Sequence, residues 1–155
     1  MKTLGPVRLG FPNTEARKRA IRLHDLHHVL AQYGTNWTGE AEIAGYEIGA
    51  GCGSHWAAWL LSAGGLNYGV VIAPRATYSS FVRGRHARSL YGGEWREELL
   101  DENTGEMRRK LGLDRPPSEA TLGDKLAFAA WAVGTPLFFY GPLVGIALGL
   151  FGLVR

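Results

Sequence analysis

From Leu126 to Val154 the chain carries no Asp, Glu, Lys or Arg. Drawn as one straight helix, that stretch measures about 43 Å, against a bilayer hydrocarbon core of about 30 Å. So long a charge-free segment predicts a membrane element. Pro136 and Gly141-Pro142 leave two shapes open, a single kinked and tilted span or a tight helical hairpin that dips in and returns. The competing reading is a helix buried in a larger core, but a domain of this size has little surface with which to cover it. Arg108, Arg109, Lys110, Arg115 and Lys125 precede the segment and only Arg155 follows it. That asymmetry predicts the main domain on the cytoplasmic face, or the matrix face in a mitochondrion.

The remaining residues divide the chain into a helical domain at 1–115 and a membrane-anchoring segment at 116–155. A 155-residue chain with 46% hydrophobic residues and five Trp can build one real core but not two. Cys52 is the only cysteine, so no intrachain disulfide forms and four-cysteine zinc sites are excluded. The net charge is +3, and acids and bases alternate through 94–115 without a basic stripe, which argues against nucleic acid and suits an anionic membrane surface or an acidic ligand. The first residues contain no apolar run of secretory-signal length, and Pro6, Pro12 and Glu15 spoil a transit-peptide helix.

Helical spacing and breakers set the expected elements. Asn13 or Thr14 caps a helix over 15–32, with Ala16, Ala20, Leu23, His27, Leu30 and Ala31 toward one face and Gly34 as its stop. Thr35, Asn36 or Thr38 caps a second helix from Trp37 to Gly49, so the two form a hairpin. Ser54 caps a third through Leu61, with Gly64-Gly65 ending it before the apolar stretch 68–73. Residues 56–73 are uncharged and read as a buried segment or a membrane-facing groove rather than a span, with buried core the preferred reading. Pro74 opens a helix over 75–91 closed by Gly92-Gly93, two short charged helices occupy 94–113, and Arg115-Pro116-Pro117 leads to a cap at Ser118. The fold class is therefore all-α, a small helical bundle with a metal-binding helix hairpin and a C-terminal transmembrane helix or helical hairpin.

The chemistry concentrates in the first hairpin. At about 100° per residue, His24 and His28 share one helix face and Asp25 lies only about 60° from His28. Two imidazoles and a carboxylate form a borderline donor set for one divalent ion, zinc or ferrous iron, with manganese third. The hairpin folds the first turn of the next helix back toward His24, which makes Glu40 the candidate fourth ligand, with Glu42 and Glu47 as competitors. Glu47, two turns further along, is also placed to orient an imidazole N–H from behind. His27 points away as the bystander. Arg83, Arg85 and Arg88 are candidates to grip a carboxylate or headgroup, and Tyr33, Trp37, Tyr46 and Trp56 to line an aromatic or isoprenoid pocket. Ordinary solvation or core packing competes for each of these. The His24-Asp25 doublet also occurs in phosphohydrolases, which need a distant His and a later Asp besides.

The string HDLHHVLAQYGTNWTGEAEIAGYEIGAG places eleven residues between His28 and Glu40. With FVRGRHARSLYGGEW and GEMRRKLGL further on, it resembles the coenzyme Q (ubiquinone) biosynthesis protein 4 family over roughly residues 15 to 113. The resemblance implies that His24, Asp25, His28 and Glu40 are metal ligands, usually of zinc, in an all-helical fold that holds a prenyl lipid near a membrane. It implies a role in ubiquinone biosynthesis, by oxidative decarboxylation and hydroxylation at ring carbon C1 of a prenylated hydroxybenzoate, or else as a non-catalytic prenyl-lipid-binding scaffold. Its implied partners are membrane lipid, the prenylated quinone precursor and other quinone-biosynthesis proteins; a homo-oligomer is compatible with the same features. Two departures stand out. Only about two dozen residues precede His24, where the family has a further helical region, and the charge-free segment after Lys125 is not an ordinary family feature.

Overall fold

In the computed structural model, residues 14–116 and 118–153 are described, with side chains to Phe151. Residues 1–13, Pro117, Val154 and Arg155 lie outside them, and with them the expectations placed on Pro6, Pro12, Asn13 and Arg155. The fold is all-helical, with α1 at Glu15–Ala31, α2 at Trp37–Ala50, α3 at Trp56–Ile72, α4 at Pro74–Arg85, α5 at Thr104–Leu111 and α6 at Leu122–Leu153. Two short 3-10 turns, Leu90–Gly92 and Glu97–Leu100, join α4 to α5. Helix α2 is central and packs against both α3 and α4.

The first two helices begin where their caps demand. Thr14 accepts the Arg17 N–H and Asn36 accepts the Gly39 N–H, satisfying donors that a helix start leaves unpaired. Helix α1 stops before Gly34, because Gln32 takes a left-handed conformation (φ 61°) and its N–H bonds to His28 O. Of the apolar face expected from spacing, Ala20, Leu23, His27, Leu30 and Ala31 are buried, and Ala16 in the first turn is half-buried.

Helix α3 departs from the expectation twice. Ser54 does not cap it, and it runs through Gly64-Gly65 to Ile72 instead of ending there. A glycine costs about 1 kcal/mol in a helix interior, but it also permits close approach. A methyl group at Gly65 would meet the Ala44 side chain, and one at Gly69 would meet Thr77 and Ala41. These glycines are contact points for α2 and α4 and do not break the helix. Residues 56–73 are accordingly half core: Ala57, Ala58, Ser62, Ala63, Leu66 and Gly69 are buried, whereas Trp56, Leu60, Leu61, Val71 and Ile72 are exposed.

The α2–α4 contact is closer still. A Cβ on Gly84 would strike the Tyr46 carbonyl oxygen, and one on Gly49 would strike the Phe81 carbonyl oxygen. Gly84→Ala is therefore expected to lower stability by about 1–3 kcal/mol through overpacking, despite alanine's better helix propensity. Thermal unfolding in detergent reads this directly, and an unchanged midpoint would show that the two backbones can separate without cost.

Helix α4 ends at Arg85 rather than near Tyr91. Beyond it the chain is drawn aside by the Arg88 N–H bond to Leu111 O, and Tyr91 turns into the core. Of the two charged helices expected over 94–113, the first is only the 3-10 turn, while α5 is capped by Asn103 and closed by Gly112 at φ 74°. Helix α6 starts behind Thr121 rather than Ser118. Thr121 Oγ1 accepts the Asp124 N–H and the Asp124 carboxylate accepts the Thr121 N–H, a reciprocal cap.

Helix α6 is one continuous helix of 32 residues with Pro136 and Pro142 inside it, so no hairpin interrupts it among the described residues. It is long and apolar enough to cross a membrane, which is consistent with membrane association. Its first part is docked on the bundle. Ala127, Phe128, Trp131 and Phe139 pack on the core formed by Ala44, Ile48, Ala63, Leu66 and Phe81, and Asp124 accepts from Arg85 and His86 at the end of α4. Residues 141–151 are all exposed.

Candidate metal centre

His24 and His28 rise from consecutive turns of α1, and Glu40 comes from the first turn of α2. The hairpin brings one ligand atom of each within 4.8 Å of the others. The Nε2 atoms of the two histidines are 3.2 Å apart; Glu40 lies 3.5 Å from His24 Nε2 and 3.6 Å from His28 Nε2. Two atoms bonded to one tetrahedral ion at roughly 2.0–2.1 Å sit about 3.3 Å apart, so the spacing fits a shared zinc-like ion.

The protons point the same way. His28 Nδ1 faces the Tyr33 carbonyl oxygen at 3.3 Å, and His24 Nδ1 faces both oxygens of Glu47 at 3.2 Å. A carbonyl and an ionised carboxylate can only accept, so each Nδ1 carries a hydrogen and each Nε2 faces the other across the gap. With both Nε2 atoms unprotonated, two lone pairs and a carboxylate aimed at one point repel unless a cation lies between them; a proton at His24 answers the same demand in the metal-free protein. This donor set fits a divalent ion on chemistry as well as on distance.

Behind the trio, Glu47 is fully buried at the centre of a polar cluster. It accepts from His24 Nδ1, His27 Nδ1 at 2.9 Å, Ser62 Oγ at 2.6 Å and Tyr91 Oη at 3.0 Å. His27 in turn accepts the Leu90 N–H at its Nε2, which fixes its tautomer. Burial pushes the Glu47 carboxyl upward, but the hydrogen bonds from His24 and His27, with the charge His24 can carry, outweigh it and hold the group well below the usual carboxylate range. Burial likewise opposes a charge on His24, yet its bond to Glu47 and the charges of Glu47, Glu40 and Asp25 raise its pKa overall. The pocket favours positive charge at His24.

The other residues singled out from sequence fall as follows. Asp25 is exposed and stands outside the trio, although its charge acts on His24. Glu42 is half-buried, and burial raises its pKa. Arg83 donates to the carbonyls of Ala31 and Leu113 and lies 5.4 Å from the Tyr33 ring centroid, clasping the ends of α1 and α5. Arg85 pairs with Asp124, and Arg88 is exposed. Thus the three arginines do not gather on the trio. Tyr46 is buried and donates to Arg88 O. Trp37 is exposed beside Tyr68, at 5.4 Å between ring centroids. Trp56 borders a cavity of about 660 Å³ between α3 and α6, with Trp59 and Trp131 among its walls.

Sequence reasoning missed Ser62, Tyr91 and the buried role of His27. The histidine's place on the apolar face was the available signal. Ser62 and Tyr91 come from α3 and the turn after α4, and no local spacing marks them. Comparison with family models, curated proteins and solved structures returns no match for the chain.

Proposed function

We propose that this chain is a membrane-attached, metal-dependent protein of ubiquinone biosynthesis that carries out oxidative decarboxylation and C1 hydroxylation of a prenylated hydroxybenzoate. One observation carries the metal part: the Nε2 atoms of His24 and His28 and the carboxylate of Glu40 converge at metal-ligand spacing. The resemblance in the His24–Gly51 segment carries the choice of pathway.

His24, His28 and Glu40 would hold the ion, with Asp25 as the further carboxylate one residue along α1. A bound divalent ion supplies Lewis-acid polarisation of a carboxylate or phenolic oxygen, and ferrous iron adds a redox capacity that zinc lacks. Glu47 and the Tyr33 carbonyl fix the orientation of the two imidazoles before any ligand arrives, which spares reorganisation on binding. Glu40, the most exposed of the three, leaves the centre accessible from the surface it shares with Trp37 and Tyr68. The positive charges before α6 favour the bundle on the cytoplasmic or matrix face.

The test supplies the purified full chain with iron, manganese or zinc, and with a prenylated hydroxybenzoate and dioxygen. A decarboxylated, hydroxylated product with one of the metals is expected. No product with any metal, alongside tight lipid binding, would replace the enzyme reading with that of a non-catalytic prenyl-lipid scaffold.

A further inference from the structure

Two contacts set the depth of the bundle against α6. Trp59 stacks on Trp131 at 5.7 Å, and further along Asn67 Nδ2 donates to Tyr140 Oη at 3.0 Å. From the first contact to the second, both helices advance toward their C-termini by nearly the same number of residues, so α3 and α6 run parallel. The end of α3, Val71 and Ile72, therefore lies beyond the level of Tyr140. Helix α2 runs antiparallel to α3, with Ala44 at Gly65 and Ala41 at Gly69, which puts Trp37 at this same end.

A membrane span needs about 20 residues. The charge-free stretch runs from Leu126 to Val154, and every window of that length within it includes residues 135–145. Tyr140 is therefore inside the apolar layer wherever the span is placed. The α3 tip beside it follows.

We infer that the tip of α3 and the adjoining Trp37 side chain rest in the bilayer, with Val71, Ile72 and Trp37 in contact with lipid. Val71 is 78% exposed and Trp37 75% exposed, Ile72 is exposed as well, and no charged residue occurs from Trp56 to Ala73. In water such a patch is costly; in lipid it is the expected surface. Arg75, exposed in the first turn of α4, is level with Val71 because Thr77 packs on Gly69, so its long side chain has to reach back toward the headgroups. The Asn67–Tyr140 bond pairs two polar groups at this depth, as a membrane interior requires. The inference rests on the membrane-attached part of the proposed function and is independent of the chemistry assigned to the metal.

The full chain in vesicles of phosphatidylcholine and phosphatidylglycerol tests it. Cys52 is buried, so Val71→Cys, Ile72→Cys and, as a control at the other end of the bundle, Glu98→Cys can each be labelled with an environment-sensitive fluorophore. Labels at 71 and 72 are expected to be quenched by nitroxides on the lipid acyl chains and shielded severalfold from aqueous iodide relative to 98. Equal iodide quenching at 71 and 98 would overturn the inference. So would shielding at 71 that comes with efficient 71-to-71 cross-linking, since a second copy of the chain would then be the cover. The same profile is expected when His28→Ala is added, so failure of the metal assignment and failure of immersion are read separately.

Discussion

Replacing Glu47 with alanine is expected to destabilise the metal-free protein by about 3–5 kcal/mol, a large share of the roughly 5–15 kcal/mol that holds a domain together. The cost has two parts. Four donors lose their acceptor, since His24, His27, Ser62 and Tyr91 all point at this carboxylate, and three of those side chains, His27, Ser62 and Tyr91, are themselves buried. A cavity also opens where α1, α2 and α3 meet. Glu47→Gln keeps the volume but turns two N–H groups toward groups that already donate, so it is expected to fall between alanine and the native residue. Denaturant unfolding in detergent, with chelator present, separates this loss from any loss of metal. An unchanged midpoint for Glu47→Ala would mean that water or rearrangement satisfies the cluster and that Glu47 does not organise it.

The second large effect is at the centre itself. His28→Ala is expected to weaken divalent-metal binding by more than about 100-fold, the upper end of what loss of a mere supporting partner costs. Removing one of two converging imidazoles leaves His24 and a half-exposed carboxylate, a pair with no selectivity for a borderline ion. Asp25→Asn probes the remaining ligand. If Asp25 closes the coordination, affinity drops with stability unchanged; if the carboxylate only adds negative potential near His24, the drop is small and fades with salt. In the native protein, metal should raise the unfolding midpoint, because only the folded chain holds the three ligands together. That rise should vanish in His28→Ala.

How far sequence anticipates structure differs from residue to residue, for physical reasons. The α1 face was legible because its apolar positions repeat at helical spacing and the charged ones are exposed. The His24–His28–Glu40 convergence was legible because the ligands lie on one hairpin, where helix geometry and a short loop leave little freedom. Gly64 and Gly65 misled because a glycine pair looks the same in sequence whether it ends a helix or admits a neighbour. Only the tertiary contact with Ala44 decides between them. Ser62 and Tyr91 could not be read at all, since their connection to Glu47 exists only after α3 and the segment following α4 have packed. The arginines were overvalued for the opposite reason: Arg83 is occupied by two main-chain carbonyls, and nothing in its neighbours' identities reveals that.

The most direct test of the central claim is X-ray absorption spectroscopy, with elemental analysis, on the full chain purified from membranes and supplied with zinc. The account predicts about one ion per chain, with two imidazole nitrogens and carboxylate oxygen at roughly 2.0–2.2 Å, and a nitrogen count that falls in His28→Ala. A protein that retains no stoichiometric metal, or one whose spectrum shows no imidazole scattering and is indifferent to the substitution, would contradict it.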